Sequence, residues 1–408
     1  MPAPLAPVVA TFLFERIRNW FNTPAKKGRG RGRKAKGIAG GLLPSGSVLT
    51  VSALFLVIGV VLGTVGKDRI TGWLGGKLGT TTVQTDAGSG SIHVYFTNPA
   101  GDPADEHNIA HACTGYIDNA KETIDVAAYE LDNKLVVDAL VRAKERGVQI
   151  RLVTDTDYIH EIGPTALKAH GIGVVEDHRD PLMHNKFMVF DKKAVWTGSV
   201  NFTENCMYKN DNHGLYIESP ELAENYSTKF RWMFEENHFG SAPKGQVIPH
   251  PRVKLADGTI IENYFASHDH VADHVIAVVG EAEKKIDFLA FSYTHDGIGK
   301  AMLDRHAAGV AIRGVFEKTQ ANNNYSEYGR FKQAGLPVFL DANPRNMHHK
   351  AIVIDGATVI CGSFNYSSNA DKANDENLLV IRGNPAIVKA FEDEVERVYG
   401  LAKDHEGK

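Results

Sequence analysis

Between residues 92 and 401 the hydrophobic pattern of the chain runs twice. Ile124-Asp125-Val126-Ala127-Ala128-Tyr129 and Ile286-Asp287-Phe288-Leu289-Ala290-Phe291 are short apolar runs, the pattern of a buried strand. A helical period follows each, over 135–146 and 298–308, and stops at Gly147 or Gly309. A second strand is expected over 148–153 and over 310–316, and matching entry strands at Tyr95-Phe96 and Tyr264-Phe265. Each copy closes on an amphipathic helix, about 221–236 and 386–399. Strands alternating with helices predict an α/β fold, and the duplication predicts two pseudo-symmetric halves facing one another across one cleft. The boundaries expected are 92–238 for the first half, a Pro- and Gly-rich linker over 239–258, and 259–403 for the second half.

The N-terminal region departs from this pattern. Residues 38–66 hold no charged side chain, and the apolar run from Ser47 suits a transmembrane anchor over 47–66. A basic segment, 1–46, precedes it, with Lys26, Lys27, Arg29, Arg31, Arg33, Lys34 and Lys36. That cluster predicts a single-pass membrane protein with a cytoplasmic N-terminus and an extracytoplasmic catalytic part. The flank Gly66-Lys67-Asp68-Arg69 offers no cleavage site, so an uncleaved anchor is expected, followed by a flexible linker over 67–91. Residues 1–87 carry 12 Lys and Arg against 3 Asp and Glu, a net +9; with the whole chain at −4, the remainder stands at −13. The globular part is therefore acidic. Three cysteines, Cys113, Cys206 and Cys361, are too few for a disulfide framework and suit small buried positions.

Within the repeat lies its most specific feature. His184-Asn185-Lys186 leads a run to Asp191, and Gly198-Ser199-Val200-Asn201 follows; His348-His349-Lys350 leads a run to Asp355, and Gly362-Ser363-Phe364-Asn365 follows. Both copies read H-x-K-x4-D-x6-G-S-x-N. In a strand, positions i and i+2 share a face, so His184 projects with Lys186 and His348 with Lys350. The same period turns Asn185 and His349 away, so His349→Ala is expected to be tolerated. Two imidazoles and two ammonium groups facing one another suit a phosphodiester. The ammonium groups stabilise a five-coordinate phosphorus, one histidine attacks it, and the other protonates the leaving oxygen. The site brings its own positive charge, so neither metal nor cofactor is expected.

Around these four groups the motif places Asn201 and Asn365 as amide donors to phosphate. Ser199 and Ser363 are grouped with them, or else bond a catalytic group or shape the turn. Asp191 and Asp355 complete the catalytic set, either as chemical groups or by orienting neighbours and capping loops. Downstream, Asn210-Asp211-Asn212 corresponds to Asn374-Asp375-Glu376. Glu376 is placed to buttress an imidazole, and since its counterpart is Asn212 the two histidines are not expected to be equivalent.

These residues resemble the signature of the phospholipase D superfamily, the HKD phosphodiesterases, and the resemblance covers roughly residues 92–401. It implies a duplicated α/β sandwich with one active site at the pseudo-two-fold axis. It further implies His184 as nucleophile, His348 as general acid, and phosphate binding by Lys186, Lys350, Asn201 and Asn365. The substrate is a phosphodiester in nucleic acid or in a phospholipid. Compact halves and the residues after each Gly-Ser-x-Asn resemble the nuclease-like bacterial branch and tilt the expectation slightly toward nucleic acid. The acidic globular part argues against it. A phospholipase D hydrolysing or transferring headgroups is the alternative, and a catalytically idle scaffold on the same fold a third. Oligomeric state is not legible.

Overall fold

The structure is a computed structural model that describes residues 83–85 and 91–406. The first half runs β1 (Val83–Thr85), β2 (Ile92–Phe96), α1 (Ile109–Asn119), β3 (Thr123–Ala128), α2 (Lys134–Glu145), β4 (Gln149–Thr154), α3 (Ile162–Ala169), β5 (Gly173–Glu176), β6 (Lys186–Phe190), β7 (Ala194–Gly198), α4 (Glu204–Tyr208), β8 (His213–Glu218) and α5 (Pro220–Phe234). The second repeats it: β9 (Arg252–Lys254), β10 (Ile260–Ala266), α6 (Val271–Gly280), β11 (Lys285–Ala290), α7 (Asp296–Ala307), β12 (Ala311–Phe316), α8 (Lys318–Ala321), α9 (Tyr328–Gln333), β13 (Val338–Leu340), β14 (Lys350–Ile354), β15 (Thr358–Gly362), α10 (Ser368–Lys372), β16 (Glu376–Arg382) and α11 (Pro385–Glu406).

Each half forms an 8-stranded mixed sheet, ordered β1-β2-β8-β7-β6-β3-β4-β5 and β13-β12-β11-β14-β15-β16-β10-β9. The two orders match position by position when one is reversed, as a duplicated unit requires. Two segments expected as linker are strands. β1 pairs antiparallel with β2, and β9 with β10. The expected anchor at 47–66, its basic flank and most of the 67–91 linker lie outside the described residues. Among the described residues no helix is long and apolar enough to cross a membrane.

Three apolar cores follow from the strand period. On β6, Phe187 and Val189 point into a core shared by both halves, while Met188 and Phe190 point to the outer core under α1 and α2. On β14 the parity is the same: Ala351 and Val353 face inward, Ile352 and Ile354 face the outer core of the second half. Continuous apolar runs are thus what a strand buried on both faces needs. The closing helices fill the shared core, α5 through Leu222, Tyr226 and Phe230, and α11 through Ile387, Phe391 and Val395. The sandwich is therefore sealed across the pseudo-two-fold, and the two motif strands lie at the centres of their sheets. Cys113, Cys206 and Cys361 are buried and free.

Candidate active site

The motif histidines sit two residues before their strands, where the chain leaves one half and touches the other. The His184 N–H donates to the Asp375 carbonyl at 2.9 Å, and the His348 N–H to the Asp211 carbonyl at 2.8 Å. Parallel bridges Met183–Asp375 and Asp211–Met347 complete this exchange. Each half thus supplies the backbone that holds the other half's histidine.

The side chains are exchanged in the same way. His184 Nδ1 lies 2.8 Å from Glu376 Oε2, and His348 Nδ1 lies 2.9 Å from Asn212 Oδ1. Each acceptor directly follows the residue whose carbonyl bonds the histidine N–H, Asn212 just before β8 and Glu376 at the start of β16, so one stretch of chain delivers both bonds. A carboxylate accepting from Nδ1–H leaves Nε2 with its lone pair. Burial, then the charges of Lys186 and Lys350, hold the His184 imidazole well below its ordinary pKa. His348 is shifted in the same direction by burial and by Lys350.

Glycine lets this segment approach. Gly198 and Gly362 have φ of +150° and +149°. A Cβ there would meet the carbonyl oxygens of His213 and Asn377 at 2.3 and 2.4 Å. The serines that follow use the space. Ser363 Oγ donates to Glu376 Oε2 at 2.7 Å and accepts from the Asn377 N–H. Ser199 Oγ donates to Asn212 Oδ1 at 3.0 Å and accepts from the His213 N–H. Both serines are fully buried. They hold the histidines' acceptors in place, the alternative that the sequence left open beside phosphate binding.

Lys186 and Lys350 are also buried, and each Nζ donates to the carbonyl of its own motif's histidine, at 2.7 and 2.9 Å. Each lies over an aromatic ring, Tyr129 at 5.0 Å and Phe291 at 4.8 Å. The same two rings stand edge-on to His184 and His348. Burial pushes Lys186 down to about 8, and burial, then the charge of Lys186, holds Lys350 well below its ordinary value. Two ammonium groups that destabilise one another in a dry site are a receptor for an anion.

His184, His348, Asn201 and Asn365 line one cavity of about 440 Å³. Asn201 Nδ2 donates to Glu130 Oε2 at 2.8 Å, while Asn201 Oδ1 and Asn365 Oδ1 have no partner. Asp191 and Asp355 are elsewhere, at the far ends of β6 and β14. Asp191 accepts from the backbone N–H groups of Lys121, Glu122 and Thr123, and Asp355 from those of Glu283, Lys284 and Lys285. They cap the turn before β3 and β11, one of the roles left open by the sequence, and are not among the residues that line the cavity.

The strand period was right about His348 and His349. His348 lines the cavity, and His349 is buried on the opposite, inner face, 2.9 Å from Glu394 Oε1 on α11. Its burial and bonding correct the expectation that it can be truncated freely. Asn212 was visible in the sequence only as the counterpart of Glu376; its bond to His348 spans 136 residues, and no local pattern announces it.

A family profile described as "Cardiolipin synthase, PLD-like domain" matches residues 114–234 and 275–399, once on each half. The chain belongs to the phospholipase D superfamily. Among curated relatives, mitochondrial cardiolipin hydrolase of Chlamydomonas reinhardtii is 33% identical over 125 residues, 31% of this chain and 56% of that protein. Phospholipase D of Rickettsia conorii is 30% identical over 194 residues, 43% of this chain and 89% of that protein. This phospholipase D-like chain spans 56% and 62% of the cardiolipin hydrolases of C. reinhardtii and Xenopus tropicalis. The crystal structure of phosphatidylserine synthase from Haemophilus influenzae Rd KW20 shares its fold, with a TM-score of 0.54 at 13% identity over 71% of this chain and 84% of that one.

Proposed function

We propose that the protein is a phosphodiesterase that cleaves phospholipids through a phosphohistidine on His184. The unequal partners of the two histidines carry the assignment. His184 donates to a carboxylate and His348 to a neutral amide. A carboxylate behind the ring raises the nucleophilicity of Nε2 and stabilises the cationic phosphoimidazole. An amide oxygen fixes the ring's orientation without that charge, which leaves His348 the readier proton donor. His184 Nε2 attacks phosphorus, and the leaving oxygen departs with the Nε2 proton of His348. Water then gives a proton to His348 and attacks phosphorus, and the P–N bond breaks.

Charge at the mouth argues for the substrate class. Glu130, Asp132 and Glu161 line the cavity, and no Lys or Arg is among its lining residues. A nucleic acid strand presents a phosphate on either side of the scissile one and needs a basic track. A phospholipid presents its phosphodiester alone, and a neutral or cationic headgroup is compatible with the carboxylates. This outweighs the compactness of the halves, which favours nucleic acid. Named relatives that are cardiolipin hydrolases and phospholipases D support the same choice. The apolar run at 47–66, with its basic flank, is proposed as the anchor that keeps the catalytic part beside the bilayer on the extracytoplasmic side. Protease protection of the intact chain in sealed vesicles tests that orientation.

The substrate test is direct. The full chain is incubated in EDTA with vesicles of several phospholipids and, separately, with single- and double-stranded DNA and RNA. Headgroup release from vesicles, lost in both His184→Asn and His348→Asn, is expected. Cleavage of nucleic acid without headgroup release sinks the lipid assignment, and acid-labile phosphate trapped on a residue other than His184 sinks the mechanism.

A further inference from the structure

The middle residue of the second motif has partners that the first motif lacks. His349 Nδ1 lies 3.0 Å from His213 Nδ1, and the two rings are parallel within 1° at 5.3 Å. His349 Nε2 lies 2.9 Å from Glu394 Oε1. Arg397 bonds both Glu394 oxygens and also Asp211 Oδ1. At the equivalent place across the pseudo-two-fold stand two amides. Asn377 Nδ2 donates to Asn185 Oδ1 at 3.0 Å, and Asn377 Oδ1 accepts from Thr197 and Tyr226. The halves therefore share a backbone and differ in what is wired behind each histidine.

Hydrogen counting fixes the tautomers. Glu394 accepts, so His349 carries its proton on Nε2 and its bare Nδ1 must accept from His213 Nδ1–H. That leaves His213 Nε2 bare, and this atom is buried without a partner. A second proton on the pair finds no anion at His213. The charged and titratable groups around the pair are Lys350, His348, Glu394 and Arg397, and the negative charge of Glu394 is shared with Arg397. Burial holds the His213 imidazole well below its ordinary pKa, and the two rings pack edge-on against Phe96 and Phe391.

What this pair clamps is the segment 211–213. Asp211 supplies the carbonyl that accepts from the His348 N–H, and Asn212 the oxygen that accepts from His348 Nδ1. The His213 N–H fixes Ser199 Oγ, which in turn donates to Asn212 Oδ1. We propose that His213 and His349 are positioning residues for His348, and that they act on its proton transfers and leave the attack by His184 untouched. The proposal rests on His348 being the acid and base of the reaction.

The test uses the full-length double variant His213→Asn/His349→Asn, which installs the amide pair that already serves the other half. Two soluble phosphodiesters are compared: one releases nitrophenolate, which departs without a proton, and the other releases an alkyl alcohol, which needs one. Rapid-quench measurements follow leaving-group release and phosphohistidine decay. Cleavage of the alkyl ester and decay of the phosphoenzyme are expected to slow by about 10-fold or more, with the nitrophenolate burst unchanged within about 3-fold. Equal losses on both esters, or no loss on either, overturn the proposal. If the double variant does not fold by circular dichroism, His213→Asn alone, which keeps the His349–Glu394 bond, is put through the same comparison with the same criteria. A wild-type chain that forms no phosphohistidine refutes the mechanism under it instead, so the two failures are distinct.

Discussion

At the scale of single residues the site is decided by which atom stands behind each imidazole. Burial pushes the Glu376 carboxyl up to about 8, against the opposing pull of Lys186. As pH rises through that value the carboxylate ionises, accepts from His184 Nδ1–H and completes the nucleophile. Burial also brings Lys186 down to about 8, so at higher pH the ammonium that receives the phosphate is lost. The expected kcat/KM profile is a bell whose limbs belong to the coupled site as a whole, including the proton that His348 must carry. Glu376→Gln should remove the ascending limb and lower kcat/KM by about 10²-fold or more, while His348-dependent protonation of the leaving group persists. A variant that keeps the wild-type acid limb shows that another group titrates there. His-x-Lys and Gly-Ser-x-Asn were legible in the sequence because strand parity and a fixed turn write them locally. The roles of Ser199, Ser363 and Asn212 were not, because each depends on a segment 13 residues or more away.

Elements explain why the aspartates of the motif were misplaced by sequence reasoning. Asp191 and Asp355 directly follow the strands that begin at Lys186 and Lys350, and five residues of strand carry them roughly 17 Å away from those lysines. There each carboxylate meets three backbone N–H groups, and these donors overcome burial to hold both below the ordinary carboxylate range. A depressed folded pKa contributes stability above the unfolded value, and that stability is lost as pH falls through the folded one. Asp191→Ala and Asp355→Ala should each lose about 1–3 kcal/mol in denaturant unfolding at neutral pH, from orphaned N–H groups at the turn. The shape of the pH–rate profile should not move. A shifted profile with unchanged stability contradicts the capping role. The same physics accounts for the strands missed at 83–85 and 252–254, which are edge pairs of three residues and lack the apolar alternation that marks the central strands.

On the scale of the whole molecule, duplication was readable from repeated spacing, and the crossing of the halves was not. Four bonds cross at the site: His184 to Asp375 and Glu376, and His348 to Asp211 and Asn212. All of them join residues of one chain, and the shared core under α5 and α11 holds them in register. One copy therefore contains both histidines, both lysines and both histidine acceptors. The phospholipase D of R. conorii aligns over 194 residues, about one half of this chain's repeat and a little more. A site complete within one chain predicts activity that does not depend on concentration. Specific activity on a soluble phosphodiester should stay constant on dilution over about three decades, and mixing His184→Asn with His348→Asn should restore nothing. Activity that falls on dilution, or that returns to about a quarter of wild type in the mixture, means instead that the working site draws its two histidines from two chains. The crossed bonds make that outcome costly, since a half exchanged between copies must leave the shared core and re-form all four contacts in the other chain.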